Sequence, residues 1–340
     1  MSTAFAVDVI QVGISCLLIV AVGYILSYFK ILKPIDFGRA DRFAGKVCFP
    51  LLQFRCLAYR KLSEYSFDPL FNAMLMNASS QILLCIFFLL PFKDPLEFYL
   101  STTISSVFVN YVPIGAIVIE QVWGPGLEHI IGICPLSNFL VLVPFFLIES
   151  QLWEIKKKKL EMAASDQLDG VDPESLKITW RDVLAAFLAA IRAPIVVGTL
   201  IGFLWSLIGI PYPPFFEKFG NYLGDIVLVF GLLGVGHVLQ KNGLIACHWL
   251  QLVFLLCVRF ILCPCISWIY VLAFKLKGRI ARLSIIFSAL PSSNGAYVIA
   301  QTACVGVKAT SSMILFTLIL IVPILILWFY IFDSLGLYMD

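Results

Sequence analysis

Two apolar stretches of the sequence each contain an asparagine and small residues beside a proline. In Ser105–Gly124, Asn110 is followed by Pro113 and Gly115. In Ser288–Gly306 the proline is followed by four small or polar residues, and the run reads Pro291, Ser292, Ser293, Asn294 and Gly295. An asparagine offers one acceptor and two donors without the cost of a buried charge. These residues could therefore bind a polar or anionic solute inside an apolar environment.

The prolines predict breaks in two membrane helices. A proline removes a backbone donor and clashes with the preceding turn. In lipid the freed backbone groups must be satisfied, so a broken helix is buried in protein or faces a wet cavity. The break also creates half-helix N-termini, whose free N–H groups and partial positive charge suit an anion. We predict that the helices break at Pro113 and Pro291 and cross at the midplane, where Asn110 and Asn294 face one substrate site. The alternative is two kinked packing helices, since Pro and Gly are common in membrane spans.

Further polar side chains in apolar stretches are candidates to line or support this site. Asn138 could line the cavity or hydrogen-bond between helices. Asp225 could carry a coupling proton or sodium ion, or could be the acidic residue at a helix N-terminus. Arg259 could attract an anion, brace the crossing or cap carbonyl groups. Arg55, by contrast, is interpreted as a residue that extends its charged end to the membrane interface.

The composition is that of a polytopic membrane protein. Of 340 residues, 61% are hydrophobic and 13% are charged, with a mean hydropathy of +0.96, whereas soluble domains carry about 25% charged residues. The net charge of +3 gives no support to a nucleic acid partner. The ten cysteines lie almost entirely in apolar runs, where they act as small hydrophobes, so we expect no metal site. We also predict no cofactor and no enzymatic activity, because the sequence lacks an H-E-x-x-H motif, a P-loop and paired carboxylates.

Apolar runs of about 20 residues, enough to cross the hydrocarbon core, occur ten times. The predicted spans are residues 6–29, 41–58, 71–92, 98–120, 127–149, 182–209, 215–239, 243–273, 279–301 and 309–334. A polar loop at 151–181 separates five spans in residues 1–150 from five in residues 182–340.

The loop residues Lys156–Lys159 predict that the loop is cytosolic and that both termini lie on the non-cytosolic side. Because five is an odd number, related halves would form an inverted repeat. Matching breaks in the fourth and ninth spans support that interpretation, which is typical of secondary transporters.

Five stretches resemble the auxin efflux carrier family, which includes the plant PIN-FORMED carriers, bacterial relatives and the PIN-like part of a lysosomal cholesterol-sensing receptor. They are Arg42–Leu57 (second helix), Asn110–Gly124 (first crossover), Ile191–Gly202 (start of the second repeat), Val258–Pro264 (eighth helix) and Ala289–Ala300 (second crossover). One departure is that Pro113 precedes Gly115, whereas the family's proline usually follows the glycine.

The resemblance implies an all-α, bile-acid-symporter-like fold of ten helices in a five-plus-five inverted repeat, with helices four and nine crossing. It also implies a scaffold half, a transport half, elevator-like movement, organic anions as frequent substrates and a homodimer through the scaffold halves. Asn110, Asn294 and the flanking serines carry over as binding residues by motif.

A second departure concerns the third helix, where plant carriers have an Asp and a Lys four residues apart near the site. Asn77 and Gln81 occupy those places here. The spacing survives without the charges, so these two residues are candidates for support only, and auxin itself is a doubtful substrate.

The sequence therefore predicts a secondary transporter in a lipid bilayer that moves a small organic, anionic solute. The alternative is a transport-inactive sensor or scaffold that binds a lipid or solute and signals through a partner. The sequence does not specify the substrate, the coupling ion, the direction or the membrane.

Overall fold

The computed structural model describes residues 3–59, 67–91, 94–111, 115, 118–119, 130, 133–165 and 178–338. The described residues are almost entirely helical. The α-helices are α1 (Thr3–Tyr28), α2 (Pro34–Phe43), α3 (Phe49–Ala58), α4 (Asp68–Leu84), α5 (Pro95–Val107), α6 (Val143–Ser165), α7 (Trp180–Arg192), α8 (Pro194–Ile208), α9 (Pro214–Asn242), α10 (Trp249–Cys257), α11 (Cys263–Ala273), α12 (Gly278–Ser288), α13 (Asn294–Ala303) and α14 (Val307–Ser334).

Three π-helical segments interrupt longer helices. Ala44–Cys48 joins α2 to α3, Asn138–Leu142 leads into α6, and Val258–Leu262 joins α10 to α11. A single-turn π segment inserts a residue into an α-helix and often lies at a functional site. Two of the predicted site residues, Asn138 and Arg259, lie in these segments.

Within the described residues, six helices are long and apolar enough to cross a membrane, and the pair α7–α8, bent by 58°, would make a seventh. Three predicted spans do not meet that criterion. The helix through residues 41–58 begins with a charged segment. In the span at 98–120 the first helix ends at Val107, and the span at 279–301 is divided into two short helices. The ten-span inverted repeat is therefore not confirmed and stays a prediction.

The predicted loop at 151–181 is helical in its first part, because α6 continues to Ser165. Lys159, in that extension, forms an ion pair of 2.7 Å with Asp182 at the start of α7. The remainder of the loop, 166–177, lies outside the described residues.

Apart from α7, which packs on both α6 and α8, the helices pack in two groups. The flanking group consists of α1, α2, α3, α8 and α9, with α1 against α9 and α3 against α8. The crossing group consists of α4, α5, α6 and α10 to α14. Each group takes helices from both sequence halves, so the packing does not separate residues 1–150 from residues 182–340. The groups meet where α13 and α14 pack on α9, α14 packs on α1, and α13 packs on α2.

Local sequence explains where the helices nearest the breaks begin. The Asp94 side chain accepts a hydrogen bond from the backbone N–H of Glu97, and Pro95 is the first residue of α5. The Ser293 hydroxyl accepts one from the N–H of Gly295 at the start of α13. Serine and aspartate stabilise helix N-termini in this way because they satisfy N–H groups that have no intrahelical partner.

Candidate functional site

The two helix breaks contact each other through their backbones. The N–H of Asn110 donates to the carbonyl of Pro291 at 3.0 Å, and the N–H of Ser293 donates to the carbonyl of Phe108 at 3.2 Å. Together they form a short antiparallel bridge centred on Val109 and Ser292. Each break therefore satisfies backbone groups that the other has freed, as an apolar environment requires.

Arg259 caps the C-terminal ends of α5 and α12, the two helices that end at the crossing. Its guanidinium donates to the carbonyls of Ser106 (2.8 Å) and Val107 (3.0 Å) at the end of α5, and to Ser288 (2.6 Å) at the end of α12. The side chain is fully buried. Helix C-termini carry unsatisfied carbonyls and partial negative charge, so one cation stabilises both ends. Of the roles considered for Arg259, these contacts favour bracing and capping.

A cavity of about 330 Å³ lies beside the crossing, between the two helix groups. The crossing group contributes both breaks and the residues that precede α6, and the flanking group contributes α3 and α9. The described lining residues are Phe49, Leu52, Gln53, Arg55, Cys56, Phe108, Val109, Asn110, Tyr111, Pro135, Asn138, Phe139, Asn221, Gly224, Asp225, Val227, Leu228, Ser293, Asn294 and Gly295.

Most of the predicted binding residues meet at this cavity. The predicted binding residues that line it are Asn110, Asn138, Ser293, Asn294 and Gly295. Asp225, predicted for coupling or support, lines it as well. Asp225 lies about three turns inside α9, which begins at Pro214, so it is not the acidic residue of a helix N-terminus.

Two predicted residues do not line this cavity, and a third lies outside the described residues. Ser292 does not line this cavity, because its hydroxyl donates to the carbonyl of Ser105 (2.6 Å) and its N–H to Thr317 Oγ1 (3.2 Å). Gly115 packs against Phe287 and Leu290 and is not among the described lining residues, which indicates helix packing instead of solute contact. Pro113 lies outside the described residues, so the structure does not show its predicted break.

A chain of buried amides supports the cavity wall. The Asn138 Nδ2 donates to the carbonyl of Val109 at 3.0 Å, and its Oδ1 accepts from Asn77 Nδ2 at 3.3 Å. Gln81 Nε2 in turn donates to the backbone carbonyl of Asn77 at 3.4 Å. Asn77 and Gln81 do not themselves line the cavity among the described residues, so they lie one layer behind Asn138 and can orient it.

Aromatic side chains form the apolar part of the wall. The Phe139 ring lies edge-on to Phe49 (centroids 5.7 Å apart) and to Phe108 (5.6 Å). A Cβ atom at Gly295 would lie 2.8 Å from Phe49 Cζ, so the first turn of α13 approaches this cluster as closely as a glycine allows. The cavity therefore offers an aromatic surface beside a row of amides and hydroxyls.

Arg55 is a cavity residue that the sequence interpretation missed. Its aliphatic part crosses α9 at Gly220, where a Cβ would overlap Arg55 Cδ, and the residue lines the cavity together with Asp225. Its Nε has no hydrogen-bond partner among the described residues. The prediction placed this arginine at the membrane interface. The available signal was that Gln53 and Arg55 are polar residues two apart in an apolar helix.

The described part of the chain contains no group of three or more His, Cys, Asp and Glu that could hold a metal ion. A second cavity, about 920 Å³, lies near the start of α5 and contains none of the predicted site residues. Its lining includes Asp94, Glu97, Gln251 and Lys308.

Comparison with known proteins gives one family and several relatives. The membrane transport protein family matches residues 8–329. Auxin efflux carrier component 8 of Arabidopsis thaliana is 20% identical over 339 residues, which cover 90% of this chain and 92% of the relative. Auxin efflux carrier component 3 of the same plant is 26% identical over 51% of this chain and only 28% of the relative. Component 3a of Oryza sativa subsp. japonica is 26% identical over 41% of this chain and 23% of the relative.

Proposed function

The chain belongs to the membrane transport protein family, and from that premise we propose that it is a secondary transporter for a small organic anion, working by elevator-type alternating access. Membership of the family and several apolar helices make it a multi-pass integral membrane protein of the transporter class. The solute and the mechanism are the proposed part.

The observation that carries the proposal is the direct pairing of the two breaks at the cavity wall. The hydrogen bonds of Asn110 with Pro291 and of Ser293 with Phe108 hold two interrupted helices together inside the protein. Interrupted backbone at membrane depth is tolerated where it is buried or lines a cavity, and transporters use such interruptions to bind solutes. Asn110 and Asn294 line the cavity directly beside this pairing.

The lining supports an organic anion as the solute. Arg55 supplies a positive charge, and the first turn of α13 supplies the positive end of a helix dipole at Asn294 and Gly295. The Phe49, Phe108 and Phe139 rings suit an apolar body. A volume of about 330 Å³ is near the lower end of ligand pockets, which span about 300–1,000 Å³, so the solute is small.

The position of the cavity supports elevator-type movement. It lies between the flanking group and the crossing group, and the crossing group carries both breaks. If the crossing group moves as a unit along the flanking group, the breaks and their solute move with it. A homodimer through the flanking group, and termini on the non-cytosolic side, stay predictions from the resemblance and from the lysine distribution.

The proposal is tested by uptake of labelled solutes into proteoliposomes. Aromatic and aliphatic carboxylates, with indole acetate among them, would be compared for wild type, Asn110→Ala and Asn294→Ala. Asn242→Ala is the matched control, because Asn242 bonds to Val238 of its own helix and is not a described cavity residue. We expect saturable uptake that falls at least tenfold in both cavity variants and persists in the control.

Saturable binding without uptake in the wild type would contradict transport and would leave the sensor or scaffold as the function. Uptake that is unchanged in both cavity variants would contradict the location of the site.

A further inference from the structure

Asp41 in α2 is a buried carboxylate at the boundary between the two helix groups. Its residue is only 2% exposed. Its Oδ2 accepts a hydrogen bond of 3.1 Å from the hydroxyl of Tyr297, which lies in α13. The bond therefore joins the flanking group directly to the second half of a broken helix in the crossing group.

The second carboxylate oxygen of Asp41 has no partner among the described residues. Oδ1 is buried and makes no hydrogen bond among the described residues. No Lys or Arg of the described chain forms an ion pair with it. A buried carboxylate without a cation is rare, because ionised groups in apolar surroundings are normally paired.

The third helix at this point, α9, makes room for the pair. A Cβ at Gly234 would lie 2.5 Å from Tyr297 Oη and 2.9 Å from Asp41 Oδ1. Any side chain at Gly234 would therefore displace the hydroxyl or the carboxylate. Three helices converge on a space that fits these two groups.

Among the described residues, few other titratable groups face Asp41. From α9, His237 stacks on Phe37, one turn from Asp41, and its Nδ1 lies 2.8 Å from Ser27 Oγ. Lys241, further along α9, is exposed. On α2 itself Arg39 and Arg42 are exposed, and Asp36 accepts a hydrogen bond from the N–H of Lys33. From α13 the facing group is Tyr297.

We propose that Asp41 is a proton-binding site and that the Asp41–Tyr297 pair is a proton-operated latch between the flanking group and the crossing group. Its role in transport rests on the proposed function, whereas its proton chemistry does not. The latch makes the proton the coupling or regulating ion of the carrier.

The chemistry is the binding of one proton from solution to the free oxygen, which converts the carboxylate to a neutral carboxylic acid. Ionised Asp41 holds the Tyr297 hydroxyl by a charge-assisted hydrogen bond, which is stronger than a neutral one. If α13 moved away from α2 while Asp41 was ionised, the carboxylate would lose its hydrogen-bond donor and remain a buried, unpaired charge, which is energetically costly. Protonation removes that charge and so permits the movement. Low pH should accordingly release the latch.

The proton site is tested first without any solute, by infrared difference spectroscopy of the reconstituted protein during acidification. We expect the carbonyl band of protonated carboxylic acids to contain, in the wild type, a component that is missing in Asp41→Asn. In Tyr297→Phe the band should appear at higher pH, because the ionised form has lost its donor. Identical bands in wild type and Asp41→Asn would overturn the proposal.

Glu149→Gln is the matched control. Glu149 Oε1 also accepts a hydrogen bond from a tyrosine, Tyr99, at 3.2 Å, and its Oε2 also has no partner in the described part of the chain. Both residues, however, lie within the crossing group. This variant should keep the Asp41 band and the pH profile of transport. His237→Gln should keep the band as well, which separates the carboxyl group from the neighbouring histidine.

The transport arm measures solute uptake against pH. We expect the wild-type rate to rise as pH falls, by up to about tenfold per pH unit, the limit for one required proton, and Asp41→Asn to be independent of pH. A wild-type profile retained in Asp41→Asn would overturn the latch even if the infrared band were present. If the wild type moves no solute at all, the proposed function fails, and the infrared arm alone still decides the proton site.

Discussion

The backbone N–H of Asn110 lies 3.0 Å from the carbonyl oxygen of Pro291, so two helix interruptions that are about 180 residues apart in the chain satisfy each other. Both residues come from stretches in which a proline lies beside an asparagine. The pairing gives the crossing a fixed geometry and places the amides of Asn110 and Asn294 on one cavity.

Replacement of Arg259 by glutamine should destabilise the protein more than any substitution in the cavity lining. The variant leaves the carbonyls of Ser106, Val107 and Ser288 without their charged donor, and each hydrogen bond to a charged group contributes about 1.5–3 kcal/mol. Thermal unfolding in detergent, followed by tryptophan fluorescence, should show a midpoint lower by many degrees. Arg192→Gln is the control, because Arg192 is exposed. Equal midpoints for the two variants would contradict the bracing role.

Gly295→Ala should weaken solute binding by roughly tenfold, because the new methyl group would press on Phe49 at the cavity wall. The double variant Gly295→Ala with Phe49→Ala should bind better than the sum of the single effects implies, since the truncated ring removes the contact. Non-additivity of this kind is expected for residues in direct contact. The measurement is the Kd of the four proteins for one labelled solute. Additive effects would show that the two residues act on binding separately.

Arg55→Gln should weaken binding of a carboxylate solute by about tenfold or more, as expected for loss of a charge-assisted hydrogen bond. The same variant should leave binding of the matching neutral amide nearly unchanged. Asp225→Asn should have the opposite effect and strengthen binding of the carboxylate solute, because it removes a negative charge from the same cavity lining. Kd values for the acid and the amide in the three proteins provide the check. If Arg55→Gln weakens both solutes equally, the arginine has a structural role and no part in selecting anions.

The sequence was most informative where polar residues interrupt apolar runs. The breaks near Asn110 and Asn294 follow from local chemistry. Proline and small polar residues are costly in lipid unless the polar groups are hydrogen-bonded within the protein or face a cavity. Asn138 was identified as a polar residue in mid-span, although its bonds to Val109 and Asn77 depend on tertiary packing.

Other features depend on contacts between distant segments and could not be predicted from local pattern. The π segments that contain Asn138 and Arg259 have no sequence signature in these stretches. Arg55 was assigned to the interface. Its actual path across Gly220 depends on how α3 packs on α9, which the local sequence does not reveal. The pairing of Asp41 with Tyr297 joins residues 256 positions apart. The spans at 98–120 and 279–301 were predicted as broken spans, and among the described residues neither contains a helix that meets the length criterion.

The location of the solute site is tested most directly by an experimental structure of the protein with a transported carboxylate bound. We expect solute density in the cavity beside the paired breaks, within hydrogen-bond distance of Asn110 and Asn294 and with its carboxylate toward Arg55 or the first turn of α13. Density in the second cavity near Asp94 and Lys308, or on the lipid-facing surface, would contradict the assignment of the crossing as the solute site.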